Sequence, residues 1–378
     1  MRLAASLRSV QPMTITGQTD VEQLQQKDAD VAAVEEFASK LVETMTGGLI
    51  TCLIDIGRRT RLFELATAGP ATSAELAERG GLQERYVREW LAAMATAGIF
   101  EYNPRNRRFW LPGEHATVLT GDSYDNLAPL AYLLSVIIRQ GEAVSERFTQ
   151  GGGVPWKAYL PEMHEVMDSL WQPMYRDILV HEILPLALGL VEKLETGTRV
   201  ADVACGAGNG TLVLARRFPS STFIGYDLDA AAIAVADSRA EGLTNVSFEV
   251  ADAATLRSDE PFDVAFVFNA MHDQARPLEV LSSIRSILEP GGTFLMDEPR
   301  ISSNLEDNLD NPLAPMTYAI SLLHCMTVSL AEGGAGLGTG WGEQVARRLL
   351  SEAGFGPVDV YDAPRDPSNA IFITHRPE

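Results

Sequence analysis

The chain has 378 residues, of which 46% are hydrophobic and 21% are charged. This balance is typical of a soluble globular protein, and the length suits about two or three domains. The formal net charge is −21, so nucleic acid would be repelled unless a local basic face outweighed the total.

Membrane and secretory signals are not expected. No apolar run approaches the roughly twenty residues that a membrane-spanning helix needs. Arg2 and Arg8 have no continuous apolar core between them, which argues against a signal peptide. The three cysteines, Cys52, Cys205 and Cys325, are widely spaced. They favour reduced thiols in a cytoplasmic protein and show no metal-binding spacing.

The amino-terminal segment predicts an arm followed by helices. Residues 1–28 are polar, mixed and without periodicity, which is typical of a flexible arm. From Asp30 to Leu65 apolar residues recur at intervals of three and four, which indicates helices. These residues include Val31, Val34, Phe37, Leu41 and Met45.

Two helices and a hairpin come next. A short helix is expected to start at Pro70–Ser73, with Thr72 or Ser73 as its cap, and to end before Gly80. A longer helix, Glu84–Ala97, is expected to bury one face. That face holds Tyr86, Val87, Trp90, Leu91 and Met94. Gly98–Tyr102 and Arg108–Leu111 flank a polar turn and predict a β-hairpin, which completes a winged-helix pattern.

A winged helix leaves two functions open. It is either a dimerisation and lid module or a DNA-binding domain. The helix Glu84–Ala97 carries both arginines and glutamates and has no basic stripe. The wing holds Arg105, Arg107 and Arg108, which keeps DNA binding as the minor alternative.

Residues 122–192 are expected to be helical connectors, rich in aromatic and apolar side chains. A second apolar group, which includes His324, follows the fifth strand of the predicted sheet. Such side chains at helical spacing usually pack in a core, and His324 suits either the core or a pocket. The connector group comprises Tyr132, Leu134, Trp156, Tyr159, Met163, Met167, Trp171, Met174 and Tyr175.

A glycine-rich turn follows the first strand of the carboxyl-terminal half. The run Arg199–Gly210 is a short apolar strand containing Asp202, followed by three glycines at alternate positions. Glycines allow a sharp turn and the close approach of a ligand. Such a turn at the carboxyl edge of a parallel strand is where nucleotide-like cofactors bind. Alone, it also fits phosphate-binding and purely structural units.

Acidic residues end the next two strands. Thr222–Asp227 places a carboxylate about twenty residues after the turn, which suits hydrogen bonds from ribose hydroxyls. Val246–Val250 leads to Asp252 and Ala253, and Phe262–Phe268 leads to Asn269. A helix over 277–288 and a strand over 293–296 follow. This alternation predicts an α/β fold whose parallel sheet is covered on both faces.

The turn Cys205–Gly210 differs from the dinucleotide and phosphate-loop motifs in glycine spacing and in having no lysine. It resembles motif I of class I S-adenosylmethionine-dependent methyltransferases, with Ala204 in place of one glycine. Asp227, the pair Asp252–Ala253 and the stretch Glu289–Gly292 match that family in order and spacing, over about residues 195–378. The resemblance implies a Rossmann-like, mostly parallel sheet of seven strands.

The resemblance also implies a cofactor site for S-adenosyl-L-methionine. Gly206 and Gly208 would line its methionine portion, Asp227 would hold the ribose, and Asp252 with Ala253 would flank the adenine. The complete expected set is Asp202, Gly206, Gly208, Asp227, Leu228, Asp252, Ala253 and Asn269. A sulfonium nucleoside has no phosphate, and carboxylates are favourable near its positive charge. Asp229 is instead expected to cap a helix.

The amino-terminal segment resembles the domain that small-molecule O-methyltransferases place before their catalytic domain. The whole chain is similar to a bacterial group of winged-helix methyltransferases, through Glu84–Leu91, Met271–Asp273 and Asp307–Pro312. These resemblances imply a homodimer whose amino-terminal domains close the partner's pocket, and an apolar acceptor beneath the aromatic segments. The expected boundaries are 1–28 (arm), 29–122 (winged helix), 123–192 (connector and lid) and 193–378 (methyltransferase).

His272 is the candidate general base for methylation of a hydroxyl. It follows the fourth strand's carboxyl end, and Met271–Asp273 resembles the family's His-Asp-Trp segment, with Gln274 in place of tryptophan. Asp273 would orient the imidazole or cap the next helix. Asp297 and Glu298 would polarise or orient the acceptor.

Three functions remain open at this point. O-methylation of an apolar secondary metabolite, which yields S-adenosyl-L-homocysteine, is favoured. The first alternative is carbon methylation of a prenyl diphosphate with Mg²⁺, in which Glu165 or Glu298 removes the proton beneath an aromatic roof. The second is a regulator that senses the cofactor without turnover.

Overall fold

The computed structural model describes residues 30–378, so the arm expected for residues 1–28 lies outside the described residues. The chain divides between Ile50 and Thr51 into two compact units. The first described helix, α1 (Val31–Arg59), crosses this division. In its first part the apolar residues are exposed, including Phe37 at 61% and Met45 at 65%.

Two described helical stretches are long and apolar enough, by length and composition, to cross a membrane: α1 and Ala314–Ala331. Both stretches contain polar or charged residues among their apolar ones. They therefore meet the criterion on length and mean composition, although neither is a continuous apolar run of the kind that the sequence analysis excluded. Core helices of globular proteins meet the same criterion, and Ala314–Ala331 is partly buried in the protein.

The winged-helix pattern is present. Its elements are α2 (Leu62–Ala66), α3 (Ser73–Gly80), α4 (Glu84–Thr96), β1 (Glu101–Asn103) and β2 (Arg108–Trp110). Thr72 caps α3 as expected: its side chain accepts a hydrogen bond from the Glu75 N–H, and the Glu75 carboxylate accepts one from the Thr72 N–H. The two strands pair antiparallel, which confirms the hairpin.

The predicted buried face of α4 is confirmed except at one position. Val87, Trp90, Leu91 and Met94 are buried, whereas Tyr86 is 80% exposed. The four buried residues already complete a helical stripe at i, i+3, i+4 and i+7. Tyr86 lies at the margin of that stripe in the first turn of the helix, so its ring faces solvent.

The connector is helical throughout most of its length. After α5 (Gly113–Thr117), which precedes it, the connector contains α6 (Ala128–Ile138), α7 (Gly141–Gln150), a 3₁₀ turn (Trp156–Tyr159), α8 (Glu162–Met174), a π-helical segment (Tyr175–Ile183) and a 3₁₀ turn (Leu184–Leu186), and it ends in α9 (Leu190–Thr196). Tyr132, Tyr159 and Met163 are buried in one cluster, as expected for core aromatics.

The carboxyl-terminal part contains one sheet of seven strands in the order β5-β4-β3-β6-β7-β9-β8. The strands are β3 (Arg199–Val203), β4 (Thr222–Asp227), β5 (Val246–Val250), β6 (Phe262–Phe268), β7 (Leu288–Pro299), β8 (Asp359–Asp362) and β9 (Asn369–His375). The first five are parallel, and β9 runs antiparallel to both β7 and β8. The predicted Rossmann-like sheet is therefore confirmed. Glu289–Gly292 lies in the first part of β7 rather than before it.

Helices cover both faces of this sheet. They are α10 (Asn209–Arg217), α11 (Ala230–Arg239), α12 (Pro277–Ile287) and α15 (Gly342–Glu352), whereas α13 (Ala314–Ile320) and α14 (Met326–Ala331) pack with the connector. A π-helical turn, Ser321–Cys325, joins α13 to α14. Alternate residues of β6 enter opposite cores, since Val264 and Phe266 pack on one side and Ala265 and Val267 on the other. The strand order reverses direction between β3 and β6, and a crevice forms at such a point at the carboxyl edge.

Candidate active site

The glycine-rich turn leaves the carboxyl end of β3 through a left-handed backbone. Ala204, Gly206 and Gly208 have φ values of 60°, 55° and 74°. A Cβ added to Gly208 would lie 2.6 Å from the Phe248 ring, whereas one added to Gly206 would meet nothing within 4 Å. Gly208 is therefore required for conformation and for packing, while Gly206 faces open space at the crevice.

Asp227 fastens this turn to the end of β4. Its Oδ2 accepts a hydrogen bond from the Gly206 N–H at 2.8 Å, and its Oδ1 accepts one from the Asp229 N–H at 2.8 Å. Burial raises the pKa of the carboxyl, although both backbone hydrogen bonds oppose the shift. Each oxygen keeps a further lone pair, so the side chain can accept additional hydrogen bonds.

Asp202 lies beneath the turn and is only 3% exposed. Its Oδ2 accepts a hydrogen bond from the Thr211 hydroxyl at 2.5 Å. Burial raises the pKa of Asp202 to about 7, and the neighbouring charge of Asp227 adds to the shift. A carboxyl with this pKa changes charge close to neutral pH.

Asp229 caps α11, as expected from the sequence. Its Oδ1 accepts hydrogen bonds from the N–H groups of Ala231 and Ala232. Its Oδ2 also lies 2.8 Å from Nε2 of His164 and accepts a hydrogen bond from the Trp156 indole at 3.3 Å. Burial opposes ionisation, but these hydrogen bonds outweigh it and lower the pKa of Asp229. Asp229 thus joins the connector to the start of α11, beside the carboxyl end of β4.

Asp168 makes a second connection from α8. It accepts a hydrogen bond from the Asn209 amide at 2.7 Å and pairs with the Arg239 guanidinium. Because Asn209 is the first residue of α10 and Arg239 the last of α11, one carboxylate ties both helices to the connector. The sequence analysis missed this contact and the one from His164, because the partners are 41 to 71 residues apart.

The residues expected around the adenine lie at the carboxyl ends of adjacent parallel strands. Leu228 follows β4 and is 72% exposed. Asp252 follows β5, accepts a hydrogen bond from the Ala254 N–H at 2.9 Å, and forms an ion pair with Arg276. Ala253, beside it, is half-buried. The ion pair occupies one oxygen of Asp252, a feature that the sequence analysis did not anticipate.

Asn269 follows β6 in a left-handed conformation, with a φ of 50°. Its N–H donates to the Asp297 carbonyl, and its Oδ1 accepts a hydrogen bond from the Asn369 amide at 3.1 Å. Its buried Nδ2 and the buried Oδ1 of Asp297 have no partner among the described residues. Burial raises the pKa of Asp297 well above its usual value.

His272 and Glu298 form a buried pair between the ends of β6 and β7. Nδ1 of His272 lies 2.6 Å from Oε2 of Glu298, and Oε1 of Glu298 accepts hydrogen bonds from the N–H groups of Ala270 and Met271. Burial opposes protonation of His272, but the carboxylates of Glu298 and Asp273 hold its pKa well above 6.5. The geometry assigns the Nδ1 proton to the Glu298 hydrogen bond and directs Nε2 toward Asp273, whose Oδ1 is 3.5 Å away.

The π-helical turn Ser321–Cys325 packs beside this pair. His324 is buried, with its ring edge-on to Trp156 and Tyr159, and its Nδ1 lies 3.3 Å from Sγ of Cys325. Burial lowers the pKa of His324 and raises that of the Cys325 thiol to about 12. His324, for which core and pocket were both open, lies in the core, although its Nε2 has no partner among the described residues.

Glu165 lies apart from this constellation. It is on α8 and accepts a hydrogen bond from the Tyr132 hydroxyl at 2.9 Å, within the connector. His272, Asp273 and Glu298 are thus brought together, while Glu165 is engaged by another helix.

Two family models match the chain. The first, described as an Rv2258c-like winged HTH domain, covers residues 48–121, and the second, described as a methyltransferase domain, covers residues 194–347. The chain thus combines a winged-helix domain with an S-adenosylmethionine-dependent methyltransferase domain. The resemblances expected from its motifs are confirmed at this level.

Relatives of this winged-helix methyltransferase vary in acceptor. The trans-aconitate 2-methyltransferase of Methylobacterium nodulans is 32% identical over 119 residues, which is 32% of this chain and 42% of that protein. The fatty-acid O-methyltransferase of Mycolicibacterium smegmatis is 33% identical over 28% of this chain and 38% of its own. This chain therefore aligns with only about two fifths of the length of these curated relatives.

Solved structures resemble the winged-helix methyltransferase over nearly its whole length. The mitomycin 7-O-methyltransferase matches with a TM-score of 0.67 and 17% identity, covering 92% of this chain and 100% of its own. Human N-acetylserotonin methyltransferase, solved in complex with S-adenosylmethionine, matches with a TM-score of 0.66 and 16% identity, covering 93% and 99%. At these identities the likeness establishes the shared fold.

Proposed function

We propose that this winged-helix methyltransferase moves the sulfonium methyl group of S-adenosyl-L-methionine to a hydroxyl oxygen of a small, largely apolar molecule. His272 would accept the hydroxyl proton. The observation that carries the proposal is the buried His272–Glu298 pair, at the same sheet edge as the glycine-rich turn. Active sites of doubly wound sheets lie at this edge.

The residues at the crevice fit the cofactor. Gly206 faces open space where a side chain would intrude, and Asp227 retains lone pairs for the ribose hydroxyls. Leu228 offers an exposed apolar surface to the adenine, beside Asp252 and Ala253. The buried Nδ2 of Asn269 has no partner within residues 30–378 and could donate a hydrogen bond to the carboxylate end of the methionine portion. Asp202 and Gly208 would support the turn from behind.

The bound cofactor would supply an electrophilic methyl group, and the protein's task is then to hold the acceptor and remove its proton. Glu298 is fixed by two backbone N–H groups, so it keeps the His272 proton on Nδ1. In the neutral ring this tautomer leaves a lone pair on Nε2, which can accept the proton of a hydroxyl; because the pKa of His272 is raised, that form must first lose the second proton. Asp273 would orient the imidazole from its other side.

Aromatic residues near the His272 turn support an apolar acceptor. Trp156, which is half-buried, packs edge-on against His324 of the π-helical turn, and the buried Tyr159 packs behind it. Such surroundings favour an apolar acceptor with one reacting polar group. The fold shared with O-methyltransferases of small molecules supports a hydroxyl as that group and a role in secondary metabolism.

The proposal includes a homodimer in the cytoplasm. Seven apolar side chains of α1 are more than 40% exposed between residues 31 and 49, and a second copy of the chain would cover them. They are Val31, Val34, Phe37, Leu41, Val42, Met45 and Leu49. The unpaired thiols of Cys52, Cys205 and Cys325 support a reducing compartment.

The proposal is tested in two stages on the full chain. Calorimetry with S-adenosyl-L-methionine and S-adenosyl-L-homocysteine should show saturable binding at one site per chain. Incubation with isotopically labelled donor and a panel of apolar phenols and alcohols, followed by mass spectrometry, should then show a labelled methyl ether. Binding of neither nucleoside would refute the cofactor assignment, and labelled product only on carbon or nitrogen would refute the hydroxyl acceptor.

A further inference from the structure

We propose that His272, Asp273 and Cys325 form a binding site for one soft divalent cation of the zinc class. One donor atom from each of the three side chains lies within 4.8 Å of the other two. Nε2 of His272 and Oδ1 of Asp273 are 3.5 Å apart. Two ligands of a tetrahedral zinc ion are separated by about 3.5 Å, given bond lengths of about 2.0–2.3 Å. This pair therefore has the required spacing without rearrangement.

The donor set selects the kind of cation. A thiol, an imidazole and a carboxylate together suit Zn²⁺ or Co²⁺, whereas Mg²⁺ and Ca²⁺ prefer oxygen ligands alone. Three protein ligands leave a fourth tetrahedral position for water or another small ligand. Since His272 and Cys325 are each only 4% exposed, the ion would be shielded from bulk water.

The surrounding hydrogen bonds match those of metal-bound ligands. Glu298 accepts the proton of Nδ1, so Nε2 of His272 is the nitrogen that a metal would bind, in place of any proton on it; this carboxylate–histidine arrangement is common around zinc. His324 lies with Nδ1 3.3 Å from Sγ of Cys325, where an N–H would stabilise a thiolate. Glu298 and His324 are not ligands in this arrangement; they would orient His272 and Cys325, respectively.

One atom of the cluster makes no hydrogen bond among the described residues. It is the buried Oδ1 of Asp273, whose contact with His272 is an ion pair at 3.5 Å rather than a hydrogen bond, although buried carboxylate oxygens normally accept one. A cation between Asp273, His272 and Cys325 would satisfy this atom. Coordination would release the Cys325 thiol proton to solvent and change no oxidation state.

Cation binding would inhibit methyl transfer. The lone pair on Nε2 that coordinates the ion is the one that accepts the hydroxyl proton, so the two uses exclude each other. This inhibitory consequence rests on the proposed function of His272, whereas the binding itself does not. The winged-helix methyltransferase would then be active in its metal-free form and silenced by zinc.

Co²⁺ is the probe for binding, because a thiolate ligand gives a near-ultraviolet charge-transfer band. Titration of the full-length protein should show one Co²⁺ per chain with this band, displaced by one equivalent of Zn²⁺. Cys325→Ser should abolish the band and weaken Zn²⁺ binding at least 10-fold in chelator competition. Cys52→Ser, which removes an exposed thiol, is the matched control and should retain both. Asp273→Asn should keep the band and weaken affinity.

The outcomes separate the two proposals. No cobalt band in the unaltered protein, or a band that persists in Cys325→Ser, would overturn the cation site. Cys325→Ser and Asp273→Asn must each unfold within a few degrees of the temperature at which the unaltered protein unfolds. If Cys325→Ser does not fold, the loss of Zn²⁺ affinity in Asp273→Asn tests the site instead. Where an acceptor is found, Zn²⁺ should abolish turnover, and EDTA should restore it. If no acceptor is ever methylated, the cobalt titration still tests the site.

Discussion

The Glu298 carboxylate lies 2.6 Å from Nδ1 of His272 and is held there by the backbone of Ala270 and Met271. Glu298 is the last but one residue of β7, and His272 lies in the turn after β6. Because β6 and β7 are adjacent parallel strands, they fix the distance between the carboxylate and the imidazole. The pair defines which ring nitrogen is available to an acceptor. Both of its members have measurable consequences for turnover.

His272→Ala should lower turnover about 10²-fold or more while leaving affinity for S-adenosyl-L-methionine intact, because it removes only the proton acceptor. The rate is measured with labelled donor and the affinity by calorimetry. A rate equal to that of the unaltered protein would take His272 out of the mechanism. Loss of cofactor binding would instead give it a structural role.

Glu298→Gln tests the pair itself. A glutamine amide can still accept one hydrogen bond, but it cannot stabilise the imidazolium that forms when His272 takes a proton. We expect turnover to fall about 10²-fold, with the double variant His272→Ala/Glu298→Gln no slower than His272→Ala alone. Glu306→Gln, on an exposed turn, is the control. Losses that multiply in the double variant would mean that the two residues act independently.

Asp227→Asn should weaken S-adenosyl-L-methionine binding by about 10- to 100-fold, which corresponds to about 1.5–3 kcal/mol for hydrogen bonds to a charged group. Both carboxylate oxygens already accept a backbone N–H, so one N–H would face the new amide nitrogen. The glycine-rich turn would lose an anchor together with the ribose contact. Calorimetry measures the effect, and Asp237→Asn on the exposed side of α11 should leave affinity unchanged.

Much of this site could be predicted from the sequence because it depends on local signals. The strands Thr222–Asp227, Val246–Val250 and Phe262–Phe268 were predicted with the bounds that the structure has, since each is an apolar run between turn residues. The cap at Asp229 was predicted for the same reason. Side chains at the ends of parallel strands then meet at one edge without further information.

Contacts between distant segments could not be predicted in this way. Asp168 contacts Arg239, which lies 71 residues away in the sequence. Cys325 lies close to His272 because a π-helical turn places it there, and the apolar periodicity of the sequence does not predict such a turn. Glu165, expected near the acceptor, lies on the side of α8 that faces Tyr132. Glu165 directly follows His164, which contacts Asp229, and consecutive residues of a helix point about 100° apart. Only the packing of α8 therefore decides which of these side chains faces the crevice.

Asp202→Asn should change the pH dependence of stability. The folded-state pKa of Asp202 is raised by burial to about 7, above the value of about 3.9 in an unfolded chain. The contribution of protonated Asp202 to the free energy of unfolding is therefore fully present below about pH 4, and it is lost as the pH rises through about 7. Asparagine does not ionise, so the variant should be more stable than the unaltered protein at pH 8, and this advantage should be smaller at pH 5.

Thermal unfolding at these two pH values checks the Asp202 prediction. Asp237→Asn provides a control for the removal of one negative charge from the surface. A stability difference for Asp202→Asn that is the same at both pH values would show that the carboxyl does not titrate in this range.

Asp168 and Arg239 should be energetically coupled. Their ion pair is about one third exposed on each side, so solvent screens it. A double-mutant cycle with Asp168→Asn and Arg239→Gln should give a coupling of about 1 kcal/mol in the free energy of unfolding. The pair Arg85 and Glu89, which is more exposed, is the control and should couple by less. Coupling below that of the control would mean that α8 is held by its other contacts.

The exposed apolar side chains of α1 should determine the oligomeric state. Phe37 and Met45 are 61% and 65% exposed, and burying such side chains against a second copy stabilises a dimer by about 1.5–3 kcal/mol each. Phe37→Asp with Met45→Asp would place charges in that interface. We expect light scattering to give the mass of a dimer for the unaltered protein and of a monomer for this variant. Glu36→Gln with Glu43→Gln, which leaves the apolar residues in place, should remain dimeric. A monomeric unaltered protein would contradict the dimer outright.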